Sequence, residues 1–243
     1  MKKLFIAAVA LILSWSGLRA QQVINDANAE KREVGSFHGI EVATGVELLL
    51  TEGTTEEVAV SAATPEFRDK IVTKVENGIL KIHYESKPGA INKRRETKHL
   101  KAYVSYKTLD RLHATTGAEV KINGTLQAST MDMKANTGAE ISGKVNIRSL
   151  KVEQSTGSRI NLEGTANEAE IEGDTGSKFT GEAFVIADCD VKVSTGAQVT
   201  ITADGKLQAK ANTGGIVRYK GKAVVSEIKA STGGQIRKVN DSK

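Results

Sequence analysis

Apolar and polar residues alternate on both sides of a dipeptide, Thr-Gly, that recurs along the chain. It stands at Thr116-Gly117, Thr137-Gly138, Thr156-Gly157, Thr175-Gly176, Thr195-Gly196, Thr213-Gly214 and Thr232-Gly233, so successive glycines are 21, 19, 19, 20, 18 and 19 residues apart. Three residues after each Gly stand Val120, Ile141, Ile160, Phe179, Val199, Val217 and Ile236, all large and apolar. Five before it stand Leu112, Met133, Val152, Ile171, Val191, Ala209 and Ile228. Three before it stand Ala114, Ala135, Gln154, Gly173, Val193, Ala211 and Ala230, which are mostly small. A period of two on each side of the Gly predicts strand, turn, strand, with one face buried. Thr115, Asn136, Ser155, Asp174, Ser194, Asn212 and Ser231 precede the Thr and, with the glycines, mark corners. A coil of 18–21 residues cannot bury its inner face alone, so like columns must stack.

The fold expected is all-β: a single parallel β-solenoid of about eight coils, right-handed by the usual preference of parallel crossovers. The eighth copy lies near the N-terminus. Around Thr44-Gly45, Ile40 and Val42 precede and Leu48 and Leu50 follow in the same register. Gly45 and Gly117 are 72 residues apart, which makes 51–108 an insertion or a set of irregular coils. Within it, 57–62 and 100–106 read as strands and 65–70 as one helical turn. Asn77-Gly78 between 71–75 and 79–84 is a hairpin signal, and 86–98 is a polar loop. The corner glycines Gly45, Gly117, Gly138, Gly157, Gly176, Gly196, Gly214 and Gly233 are read as structural.

Met1-Lys2-Lys3, the apolar run 4–13 and Leu18-Arg19-Ala20 have the anatomy of a secretory signal peptide, with cleavage expected after Ala20. Residues 21–33 then form a lead-in, 34–239 the solenoid domain and 240–243 a tail. No second apolar run is long enough to span a bilayer, so an exported protein in the periplasm, at the cell surface or secreted is expected. The formal net charge is +5, of which Lys2, Lys3 and Arg19 supply three. The remaining +2 is too small to argue for nucleic acid. Cys189 is the single cysteine, so no internal disulfide forms.

These residues resemble the family called putative auto-transporter adhesin, head GIN domain, of exported Bacteroidetes-type proteins. Phe37-His38-Gly39-Ile40-Glu41-Val42 with Thr44-Gly45-Val46-Glu47-Leu48 is similar to its opening segment, and Tyr219-Lys220-Gly221-Lys222 with Ser231-Thr232-Gly233-Gly234-Gln235-Ile236 to its close. Family members often carry Ser-Gly where this chain has Thr-Gly, and both fit the turn. The resemblance implies a β-helical domain with an adhesin-like role, and it supplies no catalytic residues.

Candidate chemistry is sparse. His38, His83, His99 and His113 are not spaced with one another, with Cys189 or with carboxylates as metal ligands would be, and no cofactor motif is present. Cys189 has inward parity and reads as core. Glu168, Glu170, Glu172, Asp188 and Asp190, with Asp174 at a corner, form either an acidic cleft of a polysaccharide lyase or hydrolase, or the alternating charges of a solvated strand. Lys93, Arg94, Arg95 and Lys98 are the densest basic run, and Tyr103 and Tyr106 follow it; together they are the candidate ligand-binding residues, for an acidic glycan or a protein. The Thr rank from Thr116 to Thr232 either satisfies corner backbone groups or templates a repeating ligand. The function expected is a non-catalytic, adhesin-like binding or scaffold domain at the cell envelope. The alternatives are a polysaccharide-active β-helix enzyme and a structural protein that self-associates into homo-oligomers.

Overall fold

The computed structural model describes residues 26–85 and 97–239. Seventeen elements occur in order: β1 (Glu30–Arg32), β2 (Gly39–Val42), β3 (Glu47–Glu52), β4 (Glu57–Ser61), α1 (Pro65–Arg68), β5 (Ile71–Glu76), β6 (Ile79–Tyr84), β7 (Lys101–Tyr106), β8 (Arg111–Ala114), β9 (Glu119–Ala135), β10 (Glu140–Gln154), β11 (Arg159–Gly173), β12 (Lys178–Val193), β13 (Gln198–Ala211), β14 (Ile216–Lys220), β15 (Val224–Ala230) and β16 (Gln235–Lys238). They form one 16-stranded sheet wound into a right-handed-type parallel β-solenoid of about 7 turns. Eight Thr-Gly corners bound those turns, one fewer than a coil for every corner.

The alternation read from the sequence is the alternation that is buried. In β10, Ile141, Val145 and Ile147 face the core, then Leu150, Val152 and Gln154. The inward parity switches between Ile147 and Leu150, and the ladder to β11 omits Arg148 between Ile147 and Ser149. That omission marks the second corner of the coil. A first arm therefore runs from the Thr-Gly corner to this point, and a second arm runs back. Ile141 stacks on Val120 and Ile160, and Val152 on Met133 and Ile171, so like residues form the ladders expected. Phe179 and Phe184 fill one widened coil with ring centroids 6.4 Å apart.

Each Thr-Gly is a tight turn in which both residues are left-handed. The eight threonines have φ between 44° and 61° and the eight glycines between 68° and 77°. Within the turn the residue after Gly donates to the residue before Thr, as in Ala139 N–H to Asn136 O at 3.1 Å. Between coils, each corner Gly N–H except that of Gly233 donates to the Thr carbonyl of the next coil, as in Gly138 to Thr156 and Gly157 to Thr175, both at 3.0 Å. The corner side chains bond along the axis as well: Ser194 Oγ donates to Asp174 Oδ1 at 2.9 Å, and Ser231 Oγ to Asn212 Oδ1 at 2.6 Å.

The N-terminal end is built out of sequence order. β2 and β3 lie against β8 and β9 on one side and against β6 and β7 on the other. The chain thus lays down its second coil first, leaves it to make the terminal coil, and returns. The Asn77-Gly78 hairpin joins antiparallel β5 and β6, with Asn77 and Gly78 at φ 51° and 75°. β4 pairs antiparallel with β7 and carries β1 on its outer side, and α1, capped by Thr64, lies beside them. Antiparallel strands on both edges close this end of the solenoid. The segments expected as signal peptide and tail lie outside the described residues.

Candidate functional site

The outward positions of the second arms form one face along the solenoid. Its two columns are Arg111, Asp132, Lys151, Glu170, Asp190, Gln208 and Glu227, and beside them Glu41, His113, Lys134, Glu153, Glu172, Lys192, Lys210 and Lys229. Three open recesses of about 520, 550 and 520 Å³ follow this face. One is bordered by Glu172, Asp174, Lys192, Ser194, Lys210 and Asn212. The next is bordered by Lys151, Glu168, Glu170, Asp188, Asp190 and Lys206. The third, nearer the N-terminal end, is bordered by Glu41, Thr44, Lys81, His83, His113 and Lys134. The first and third share Asn136.

Charges on the face are paired across and along the coils. Lys192 Nζ reaches Glu170 at 2.8 Å and Glu172 at 3.0 Å, with Asp190 at 3.9 Å. Glu153 takes Lys134 at 2.8 Å and Lys151 at 2.6 Å. The hydrogen bonds from these two ammonium groups hold the Glu153 carboxyl down at about 2, and the Lys192 ammonium, which donates to Glu170 and Glu172, is pushed upward by those bonds. His113 sits 3.1 Å from Asp132 and 3.9 Å from Glu41. Its burial outweighs the Asp132 hydrogen bond and lowers its pKa.

Four of the six acidic positions have close partners, while Asp190 lies 3.9 Å from Lys192 and its buried Oδ1 has no hydrogen-bond partner among the described residues. Glu170 and Glu172 share Lys192, and Asp188 Oδ1 accepts the Lys206 backbone N–H at 2.9 Å. Asp174 is held ionised by the hydroxyls of Thr195 and Ser194 and the Thr175 N–H. A general acid has to keep its proton near neutral pH; Asp174 is stabilised in the opposite sense. Cys189 is buried, and burial pushes its thiol up to about 12, the wrong direction for a nucleophile. Among the described residues, no three of His, Cys, Asp and Glu are placed to hold a metal ion.

Of the residues singled out near the insertion, Tyr103 and Tyr106 lie on opposite faces of β7. Tyr106 is 1% exposed, because in β7 the even positions Ala102, Val104 and Tyr106 face the core. Tyr106 therefore packs in the strand's core face, and its ring is not open to a ligand there. Tyr103 is on the outer side but half-covered, and its hydroxyl donates to Asp26 Oδ2 at 2.9 Å. Lys98 lies over the Tyr84 ring, 4.3 Å from its centroid. Lys93, Arg94 and Arg95 lie outside the described residues. On the face that the structure presents, the sequence singles out the carboxylates and not the lysines that hold them. The signal available was position: two outward columns at fixed offsets from every Thr-Gly.

The architecture defines a parallel β-solenoid of the adhesin-head type. The chain belongs to the family described as putative auto-transporter adhesin, head GIN domain, which it matches over residues 36–223. Among curated proteins, none matches. Among solved structures it is similar to a putative adhesin from Bacteroides fragilis NCTC 9343, with a TM-score of 0.73 at 18% identity, covering 87% of this chain and 96% of that one. It is also similar to a putative lipid binding protein from Parabacteroides distasonis ATCC 8503, with a TM-score of 0.68 at 17% identity over 88% and 98%. A putative adhesin from Parabacteroides merdae ATCC 43184 gives a TM-score of 0.68 at 15% identity over 87% and 95%. At these identities the likeness establishes the fold. No helix among the described residues is long and apolar enough to cross a membrane.

Proposed function

We propose that this chain is a non-catalytic, exported, adhesin-like binding domain of the cell envelope. Its second-arm face would hold a polar polymer, a glycan or an extended protein segment, along the solenoid axis. The observation that carries this reading is the alignment of three open recesses on one rigid, charge-paired face. Stacked strands repeat at about 4.8 Å, so such a face offers charged and polar groups of mixed sign at regular intervals. Because its charges already satisfy one another, a ligand gains little from bulk attraction and must compete through hydrogen bonds at many positions. The engagement of Glu170, Glu172, Asp174 and Asp188 supports binding over hydrolysis.

The test is a binding panel of bacterial, mucin and matrix polysaccharides with the wild-type protein and the Lys192→Glu variant. Lys192 holds the middle of the face without touching the core, so reversal weakens retention if the ligand lies there. Equal retention of both proteins would move the ligand to another surface.

A further inference from the structure

The last described coil breaks the rule that every other coil keeps. Leu207, Ala209 and Val217 are fully buried, yet among the described residues their partners one coil on, Val225, Ile228 and Ile236, have no coil above them. The described residues contain five exposed large hydrophobic side chains, and four of them, Val224, Val225, Ile228 and Val239, lie in this coil. Val225 is 40% exposed and Ile228 44%, although both have the register of core residues. Among the described residues β15 pairs with β13 alone, and β16 with β14 alone, so there both present an unpaired edge. The other end differs: β4, β5 and β1 cover the terminal coil, and Leu80, Ile82, Ala102 and Val104 within it are buried. An unpaired strand edge beside an exposed apolar face is a site for strand addition.

We propose that this coil is a homodimer interface, in which β15 pairs antiparallel with β15 of a second copy about a two-fold axis through Ile228. The occupant is a second copy because the strand is self-complementary in that register. Antiparallel pairing centred on Ile228 sets Glu227 opposite Lys229 of the other copy, and by symmetry Lys229 opposite Glu227, with the two Ile228 side chains meeting between them. Lys229 pairs with Glu227 of its own strand but keeps 70% of its side chain exposed, so it exchanges that partner for Glu227 of the second copy. The covered N-terminal end offers no matching surface, so assembly closes at two instead of growing into a fibre. Glu227 and Lys229 also continue the two columns of the second-arm face, so the dimer joins two such faces into one of twice the length.

The experiment is sedimentation velocity of the purified protein over a dilution series, with circular dichroism of each variant. The wild-type protein sediments as a dimer that dissociates on dilution. Ile228→Asp sediments as a monomer with an unchanged β spectrum. Glu227→Lys places like charges opposite one another and raises the dissociation constant more than about tenfold. The double variant Glu227→Lys with Lys229→Glu restores the opposite pairing and recovers the dimer. A wild-type protein that is monomeric at every concentration, its apolar coil then being covered by some other segment or protein, overturns the proposal. So does mass that rises without limit, a dimer that survives Ile228→Asp, or a double variant that stays as weak as Glu227→Lys.

Discussion

The Gly45 N–H donates to the Thr116 carbonyl oxygen at 3.0 Å, although the whole of 46–115 lies between them in the chain. The first Thr-Gly corner therefore stacks directly on the second, and the intervening segment spends its length on the terminal coil and its cover. Gly45 and Gly164 isolate what a glycine does here. A Cβ on Gly45 would meet nothing within 4 Å, so Gly45→Ala pays only for positive φ, about 1 kcal/mol. A Cβ on Gly164 would lie 2.0 Å from the Val145 carbonyl oxygen. Gly164→Ala is expected to cost at least about 3 kcal/mol, read as a larger fall in the urea midpoint than Gly45→Ala produces.

The threonines of the corners carry strain that another residue would not. A β-branched side chain at positive φ is an outlier, whereas Asn visits this region readily and Asn-Gly is the favoured pair for such a turn. Thr137, at φ 52°, is exposed. Thr137→Asn is expected to raise stability by about 1 kcal/mol, seen as a higher urea midpoint at unchanged slope.

Acid should weaken the fold in two windows. The carboxyl of Glu153 titrates at about 2 in the fold against a reference of 4.5, so its stabilisation is complete above 4.5 and is lost as pH falls toward 2. His113 is likewise lowered from 6.5, by burial, so its contribution is lost as pH falls below 6.5. A melting-temperature profile is expected to decline first below pH 6.5 and again below 4.5. His113→Gln removes the upper decline and leaves the lower, and Glu153→Gln does the reverse.

Gln154 occupies an inward column otherwise filled by small or apolar residues, and it is 3% exposed. Neither its Oε1 nor its Nε2 has a hydrogen-bond partner among the described residues. Its neighbour one coil on is Gly173, which leaves room for the long side chain. Gln154→Met keeps that length and removes both amide groups, so a stabilisation of about 1–3 kcal/mol is expected from thermal unfolding.

The columns around Thr-Gly were legible because one residue pair fixes the phase of each coil, and the inward positions from Leu112 to Val217 follow from it. The Asn77-Gly78 hairpin was legible for the same reason. The terminal coil was not. Leu80, Ile82 and Tyr84 on β6, and Ala102, Val104 and Tyr106 on β7, alternate as coil arms do, but no Thr-Gly lies between them to set the phase. Its position beneath β2 and β3 depends on pairings between distant segments, which periodicity does not encode. The column after each Gly, with Ala118, Ala139, Ser158, Ser177 and Ala197 all buried, was hidden by small and mixed residue types. On the candidate face the charges were visible, but which lysine held which glutamate was set by coil-to-coil register alone.

The central claim is binding without chemistry, and one measurement bears on it most directly. The purified protein is incubated with the polysaccharide panel, and retention and chain cleavage are scored on the same samples. Retention of at least one polymer with its length distribution unchanged is the result predicted. Shortened chains would contradict the account and return the carboxylates around Lys192 to consideration as a catalytic cleft.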